Sequence, residues 1–375
     1  EMRNGIQIAT IWKVPVRLDL SWFIIFGLVT WSLAGSVLAE GLPGAAPGLL
    51  WALGAAASLL FAASVLLHEL GHVYFALRNQ VPVRGVTLFL FGGVAEITRD
   101  PQTPGAELRI AAAGPAVSLA LAGIFGAAAF FTQGWLAEAS VPAAWLARIN
   151  LMLAVFNLIP GFPLDGGRIF RALVWMRTGS LARATRVAST SGQWVGYGFM
   201  GVGLFSLLTG GAFNGLWLIF IGWFLRNAAA SSQAQSSVQE ALRGLTVAEV
   251  MDRRVDSAAA HHTLEQVVRE HVLSGSQRVL LVTDSLGNGI RGWVSLEDIV
   301  RVPRGAWPVV TVGQLMSPRE NLLVLSPQAE LLSALQKMDE SSLSQAPVIA
   351  ENQILGWLSR ERIQNYLRLR TELGI

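Results

Sequence analysis

The sequence predicts a polytopic α-helical membrane protein of about six transmembrane helices, with a small β-rich insertion after the second and a C-terminal α/β tandem pair. Three observations carry this. The chain has 375 residues, 52% hydrophobic and 14% charged, with a mean hydropathy of +0.48, too apolar for an ordinary soluble protein of that length. Nearly all of the apolar excess lies before about Ala230, and the remainder has the charge density of a soluble domain. Within that remainder the sequence repeats. Thr246-Val-Ala-Glu-Val-Met251 returns as Thr311-Val-Gly-Gln-Leu-Met316, and Gly292-Trp-Val-Ser295 as Gly356-Trp-Leu-Ser359. Each unit reads as a short helix, a strand, a helix, two strands and a helix.

Charge and cysteine content narrow the partners and the chemistry. A formal charge of +3 and a pI near 9.8 would suit nucleic acid if the arginines formed a stripe; they scatter over loops instead, which fits membrane topology. The chain has no cysteine, so disulfides and thiolate ligands are excluded and any metal must be held by histidine and carboxylate.

In chain order, residues 1–17 carry Arg3, Lys13 and Arg17, a cytosolic amphipathic or strand-like lead-in. A first span covers about 18–38; it has no small-residue cleavage site at the usual distance, so it reads as a retained span and not a removed signal. Residues 40–47 form a short turn without basic residues, and an apolar run returns the chain over about 49–77. Residues 81–100 are rich in β-branched and aromatic side chains broken by Gly92-Gly93, a hairpin or bent sheet with the glycine pair as its turn or bulge. Such an edge could capture an extended substrate segment by strand addition, or be a plain hairpin packed on the helices. A third span, about 106–131, holds Gly114-Pro115; residues 133–142 form another far-side loop. The fourth segment, from about Trp145, is interrupted by two prolines and three glycines between Asn157 and Gly167. Arg168, Arg171, Arg177, Arg183 and Arg186 follow and should face the cytosol, and two further spans cover about 189–208 and 213–225. Basic residues cluster at every odd connection, with Arg148 the exception, so both termini should be cytoplasmic. The expected domains are a transmembrane domain 1–227, a polar linker 228–244, and the tandem pair 245–375, its units 245–305 and 308–370.

The second span contains the chemistry: Leu67-His68-Glu69-Leu70-Gly71-His72, an H-E-x-x-H sequence. On a helix, positions i and i+4 share a face, so two imidazoles can meet one metal ion with a carboxylate beside them. That is the arrangement of a zinc hydrolase. Three ionisable residues within five positions of a membrane-length apolar helix are expensive and rarely occur without a task. At about 1.5 Å per residue, His72 lies about 9 Å from the cytosolic end of the helix.

Zinc needs a third protein ligand if one position is to stay open. The other histidines, His261, His262 and His271, lie in the soluble repeat. Among the acidic residues of the membrane part, Glu107 remains possible at the start of the third span. Asp165 fits best, because it occupies a broken helix at membrane depth, where irregular backbone is tolerated only against protein or a water-filled cavity. It could also cap the helix that follows. Asn157, just ahead of the break, could donate to a developing oxyanion or satisfy a carbonyl freed by Pro160.

Taken together, His68-Glu69-Leu70-Gly71-His72, Gly92-Gly93, Gly114-Pro115 and Asn157-x-x-Pro160-x-x-Pro163-Leu164-Asp165-Gly166 resemble the site-2 proteases, intramembrane zinc metalloproteases, and within them the prokaryotic six-span branch with a C-terminal tandem CBS pair. The resemblance covers nearly the whole chain. It implies one zinc ion bound by His68, His72 and Asp165, Glu69 as general base, Asn157 assisting at the scissile carbonyl, and the stretch around Gly92 and Gly93 guiding substrate. It also implies a multi-pass protein of the cell inner or plasma membrane acting on membrane-anchored regulators, of the anti-sigma-factor or tethered-transcription-factor type.

CBS pairs commonly bind adenine nucleotides through a Ser or Thr followed three residues later by Asp. Ser295 and Asp298 keep that pattern, whereas Ser359 is followed by Arg362, which departs from it and could still touch phosphate. The other expectation is a module for dimerisation or gating alone. The competing function class is a membrane transporter or channel with a regulatory CBS pair. Such a protein would place broken helices near the midplane of repeated halves; here the charges cluster towards one face and no repeat spans the helices.

Overall fold

The computed structural model describes residues 5–89, 92–253, 257–273, 279–284, 290–318, 323–341, 343–350 and 353–373. The chain divides into two compact units, Glu1–Ser236 and Ser237–Ile375.

The first unit opens on a hairpin, β1 (Ile6–Ile11) and β2 (Val14–Leu18). Its turn residues Trp12 and Lys13 have φ of 50° and 68°, the left-handed pair that lets a two-residue turn match the twist of its strands. β2 then pairs in parallel with β3 (Val83–Phe89), and β3 antiparallel with β4 (Gly92–Ile97), giving the order β1-β2-β3-β4. A parallel pair needs a long crossover, and two membrane helices supply it. Val14 and Val86 on one face of the sheet pack on Val73 of the second of these helices.

The first crossover helix runs as α1 (Ser21–Ser32), a π turn (Leu33–Val37) and α2 (Leu38–Gly41). It starts a few residues later than expected, because Asp19 accepts hydrogen bonds from the backbone N–H and hydroxyl of Ser21, at 2.9 and 2.5 Å, and so ends the strand in a turn. α3 (Pro47–Arg78) begins with proline where a missing N–H costs nothing. α4 (Pro104–Thr132) is capped by Thr103, whose hydroxyl accepts from Ala106 N–H at 3.2 Å. α5 (Ala137–Asn157) starts before Trp145, so much of the stretch expected as a far-side loop is helical. Then follow α6 (Asp165–Thr178), α7 (Leu181–Leu208) and α8 (Ala212–Leu242).

Among the described residues, four helices are long and apolar enough to cross a membrane: Ser21–Gly41, α3, α4 and α5. The stretches expected as fifth and sixth spans lie in α7 and α8, which meet through glycine. A Cβ on Gly196 of α7 would stand 2.6 Å from Gly222 O of α8. Residues 228–242, expected as part of a linker, continue α8 as helix.

The β-rich stretch after α3 is the expected hairpin, but its glycine pair does not make the turn. Gly92 and Gly93 are the first residues of β4, paired with Phe89 and Leu88, and the turn lies outside the described residues. Gly92 keeps a φ of 127° that disfavours a side chain.

The second unit builds two sheets, β5 (Ser257–Ala259), β6 (Val279–Thr283), β7 (Ile290–Ser295) and β8 (Ser317–Pro318) in that order, and β9 (Gln345–Ala350) with β10 (Gln353–Ser359). The repeats exchange their openings. Val247 and Val250, from the short helix that opens the first, pack with Leu331, Ala334 and Val348 of the second. Val312, from the helix that opens the second, packs with Ala258, Leu264 and Leu280 of the first. Backbone follows side chain: Asp252 and Trp357 exchange two hydrogen bonds of 2.8 Å, while β8 of the second repeat joins β7 of the first.

Candidate metal centre

The histidine motif sits on α3 as its spacing requires. His68 and His72 are each 4% exposed and face α4 and the start of α6. Their Nε2 atoms lie 3.3 Å apart, and each is 3.2 Å from Asp165 Oδ2. Among the described residues this trio forms the one group of histidine and acidic side chains close enough to share an ion.

The other ring nitrogens fix what these atoms can be. His72 Nδ1 lies 2.7 Å from Ile110 O, which can only accept, so the proton sits on Nδ1 and Nε2 presents a lone pair. His68 Nδ1 meets Ser118 Oγ at 2.9 Å. The Nε2 lone pair of His72, the Nε2 of His68 and a carboxylate oxygen thus converge in a buried place, an arrangement that a cation stabilises. Ligands about 2.0–2.1 Å from a tetrahedral zinc ion stand about 3.3 Å apart. The residues present fit zinc.

Glycine makes the room. A Cβ on Gly114 of α4 would stand 2.6 Å from His68 Nε2 and closer still to His72, so any side chain there would occupy the ion's place. On the other side, a Cβ on Gly93 of β4 would lie 3.0 Å from Glu69 Cδ, and Glu69 accepts a hydrogen bond from Ala95 N–H of the same strand. Ala95 pairs with Val86 in the sheet, and β4 ends the sheet order, so Glu69 meets the strand that closes this side of the sheet.

Asp165 reaches the histidines because the chain breaks after α5 and restarts with Asp165 as the first residue of α6. Leu164 is the N-cap and no side-chain cap bond forms, so capping is not the role of Asp165. Gly166 permits the restart; a Cβ there would run into the backbone of Leu158 and Ile159. Asn157 closes α5, donates to Leu153 O at 3.0 Å and lines the same cavity as the metal ligands. It does not satisfy a carbonyl freed by Pro160.

Two sequence expectations need correction. Glu107 is fully buried but is no ligand; it pairs with Arg171. Arg171, expected to face the cytosol, is 7% exposed, bound also to Asp100 at 3.2 Å and stacked 5.1 Å from the Phe162 ring. Burying Glu107 required a cation, and Arg171 of α6 supplies it.

A cavity of about 880 Å³ opens over the trio. Trp22, Phe61, Val94, Trp217 and Phe220 give it apolar walls, Gly92 and Gly93 a flat strand wall, and Glu69, Asn157 and Arg168 its polar points beside the ligands. Sequence reasoning missed Ser118 and the direct role of Gly114. They stand four apart on one helix face, a spacing that could have marked a surface turned to a polar site.

The pattern of peptidase family M50 matches residues 56–141 and 133–198, a stretch that holds His68, His72 and Asp165, and that of the CBS domain matches 312–369. Two relatives named "Putative zinc metalloprotease" align over most of their length. One is sll0528 of Synechocystis sp., 34% identical over 370 residues, covering 96% of this chain and 95% of its own. The chain belongs to peptidase family M50. The other is Rip3 of Mycobacterium tuberculosis, 38% identical over 340 residues, 90% and 86% covered. Among solved structures, the site-2 protease from Methanocaldococcus jannaschii is 28% identical, covers 61% of this chain and 95% of its own, and superposes with a TM-score of 0.40. This M50 chain is a zinc metalloprotease of the site-2 type, a membrane protein with a C-terminal CBS module; nothing among its relatives supports the transporter reading.

Proposed function

We propose that this M50 protein hydrolyses a peptide bond within or next to a transmembrane segment of a membrane-anchored regulator, of the anti-sigma-factor or tethered-transcription-factor type. The supporting observation is the placing of a two-histidine, one-aspartate trio beside a carboxylate, under an apolar cavity closed on one side by β4.

A transmembrane helix bonds each of its carbonyls internally, so the substrate must unwind before it can be cut. Gly92 and Gly93 present bare backbone along the cavity, against which an extended segment can lie as an added strand. His68, His72 and Asp165 hold the ion, which when bound supplies Lewis acidity toward a carbonyl oxygen and makes water a competent nucleophile near neutral pH. Glu69 takes the proton of the attacking water and returns it to the leaving amine. Asn157 lines the same cavity, and the amide hydrogen it does not give to Leu153 O donates to the scissile carbonyl. The apolar walls hold bulk water away and strengthen each of these interactions.

Six spans with both termini in the cytoplasm fit the alternation of basic and uncharged connections. The CBS pair then stands on the cytoplasmic side, where it regulates the protease by binding an adenine nucleotide through Ser295 and Asp298 or by dimerising.

The test is a single-span substrate co-reconstituted with wild type and Glu69→Gln, with zinc measured on both. Wild type cleaves, and Glu69→Gln keeps its zinc and does not. Full cleavage by Glu69→Gln removes the proposed role of this carboxylate.

A further inference from the structure

Of the charged side chains that line the cavity, the ligands and Glu69 have assigned work; Arg168 has none. It lies three residues after Asp165 on α6, on the adjoining face of the helix, so the two stand about 5–6 Å apart at Cβ. It is half-buried, and it is the one arginine or lysine among the described residues that line the cavity. The neighbouring cation of this helix, Arg171, is held by Glu107 and Asp100. The charge of Arg168 also acts on Glu107, but no salt bridge holds its guanidinium among the described residues, so its fork stays open to a further carboxylate.

A guanidinium at the wall of a largely apolar cavity is poorly solvated and attracts an opposite charge more strongly than it would in water. Its planar fork suits a carboxylate in particular. We propose that Arg168 is a specificity-determining residue that pairs with an acidic side chain of the substrate, close to the bond that is cut. This rests on the protease reading above and deepens it: an apolar segment fills the aromatic walls, and one aspartate or glutamate sets its register against the ion.

The experiment uses the full chain in vesicles with a single-span substrate series in which one position at a time, on both sides of the cut, is Asp, Asn or Lys. In wild type, at one position, kcat/KM for Asp exceeds that for Lys by about tenfold or more, the size expected of a charge-assisted hydrogen bond. Arg168→Lys keeps the preference in weakened form, Arg168→Gln flattens it, and Arg168→Glu inverts it. The ratio is internal to each variant, so a general loss of activity does not mask it. An Asp preference that survives in Arg168→Gln, or a loss uniform across the series with zinc retained, overturns the pairing. Cleavage of the Asn members by wild type and not by Glu69→Gln carries the protease reading independently; its absence overturns both.

Discussion

Ser118 stands behind His68: its hydroxyl lies 2.9 Å from Nδ1, while Nε2 of the same ring turns to Asp165 at 3.2 Å. A partner on the rear nitrogen fixes tautomer and ring orientation, and removing such partners typically costs about 10–100-fold in metal affinity. Ser118→Ala should therefore lose zinc about that much more readily in chelator competition, and Ser118→Thr should retain it. Equal retention by Ser118→Ala would mean that packing alone holds the ring.

Gly114 gives a sharper version of the same test. Its missing Cβ leaves the space in which the two Nε2 atoms meet, whereas Gly123 on the same helix has open space where its Cβ would stand. Gly114→Ala should fold, lose zinc and lose activity. Gly123→Ala should fold and keep both zinc and activity, since alanine exceeds glycine in helix propensity by about 1 kcal/mol. Zinc content of the two purified proteins decides it.

Much of this centre was legible in the sequence because two of its ligands share one helix. The i, i+4 spacing of His68 and His72 is a local fact that helical geometry turns into a metal face. Asp165 could be reached by eliminating the other acids, since the broken segment around it is itself local. What was not legible depends on contacts between distant segments. Nothing near Glu107 says that Arg171 will meet it, and a count of positive charges assigns Arg171 to the cytosol. The glycine pair misled for a related reason. Glycine marks a turn or a close approach equally well, and only the neighbouring Glu69 shows which applies at Gly93. The repeats were visible as repeats, yet their exchange of opening helices was not, because each helix could have closed on its own sheet.

The Glu107–Arg171 pair makes a stability prediction. Glu107 is fully buried, and its second oxygen has no hydrogen-bond partner among the described residues. Arg171→Met would strand the carboxylate, a loss of about 3–5 kcal/mol when a buried pair is broken from one side. Glu107→Leu with Arg171→Met removes both charges and should recover most of that stability. Thermal unfolding of wild type, Glu107→Leu, Arg171→Met and the double variant in detergent gives the comparison; additive losses in the double variant would show that the two residues are not coupled.

Ser295 and Asp298 decide between two readings of the CBS pair. Ser295 Oγ accepts from Asp298 N–H at 3.1 Å, while Asp298 Oδ2 accepts from Ser295 N–H at 3.1 Å and from its hydroxyl at 2.6 Å. Both side chains therefore close the first turn of the helix Leu296–Arg301, a reciprocal cap. In the second repeat Ser359 still caps, accepting from Arg362 N–H at 3.1 Å, but Arg362 reaches away to Val250 O, also at 3.1 Å. A cap is worth about 1 kcal/mol on its own, so Ser295→Ala should lower the unfolding midpoint of the full-length protein whether or not ATP is present. If the pair also holds a ribose, the variant loses in addition the upward shift that saturating ATP gives the wild type. A midpoint lowered equally with and without ATP assigns these residues to the helix cap alone.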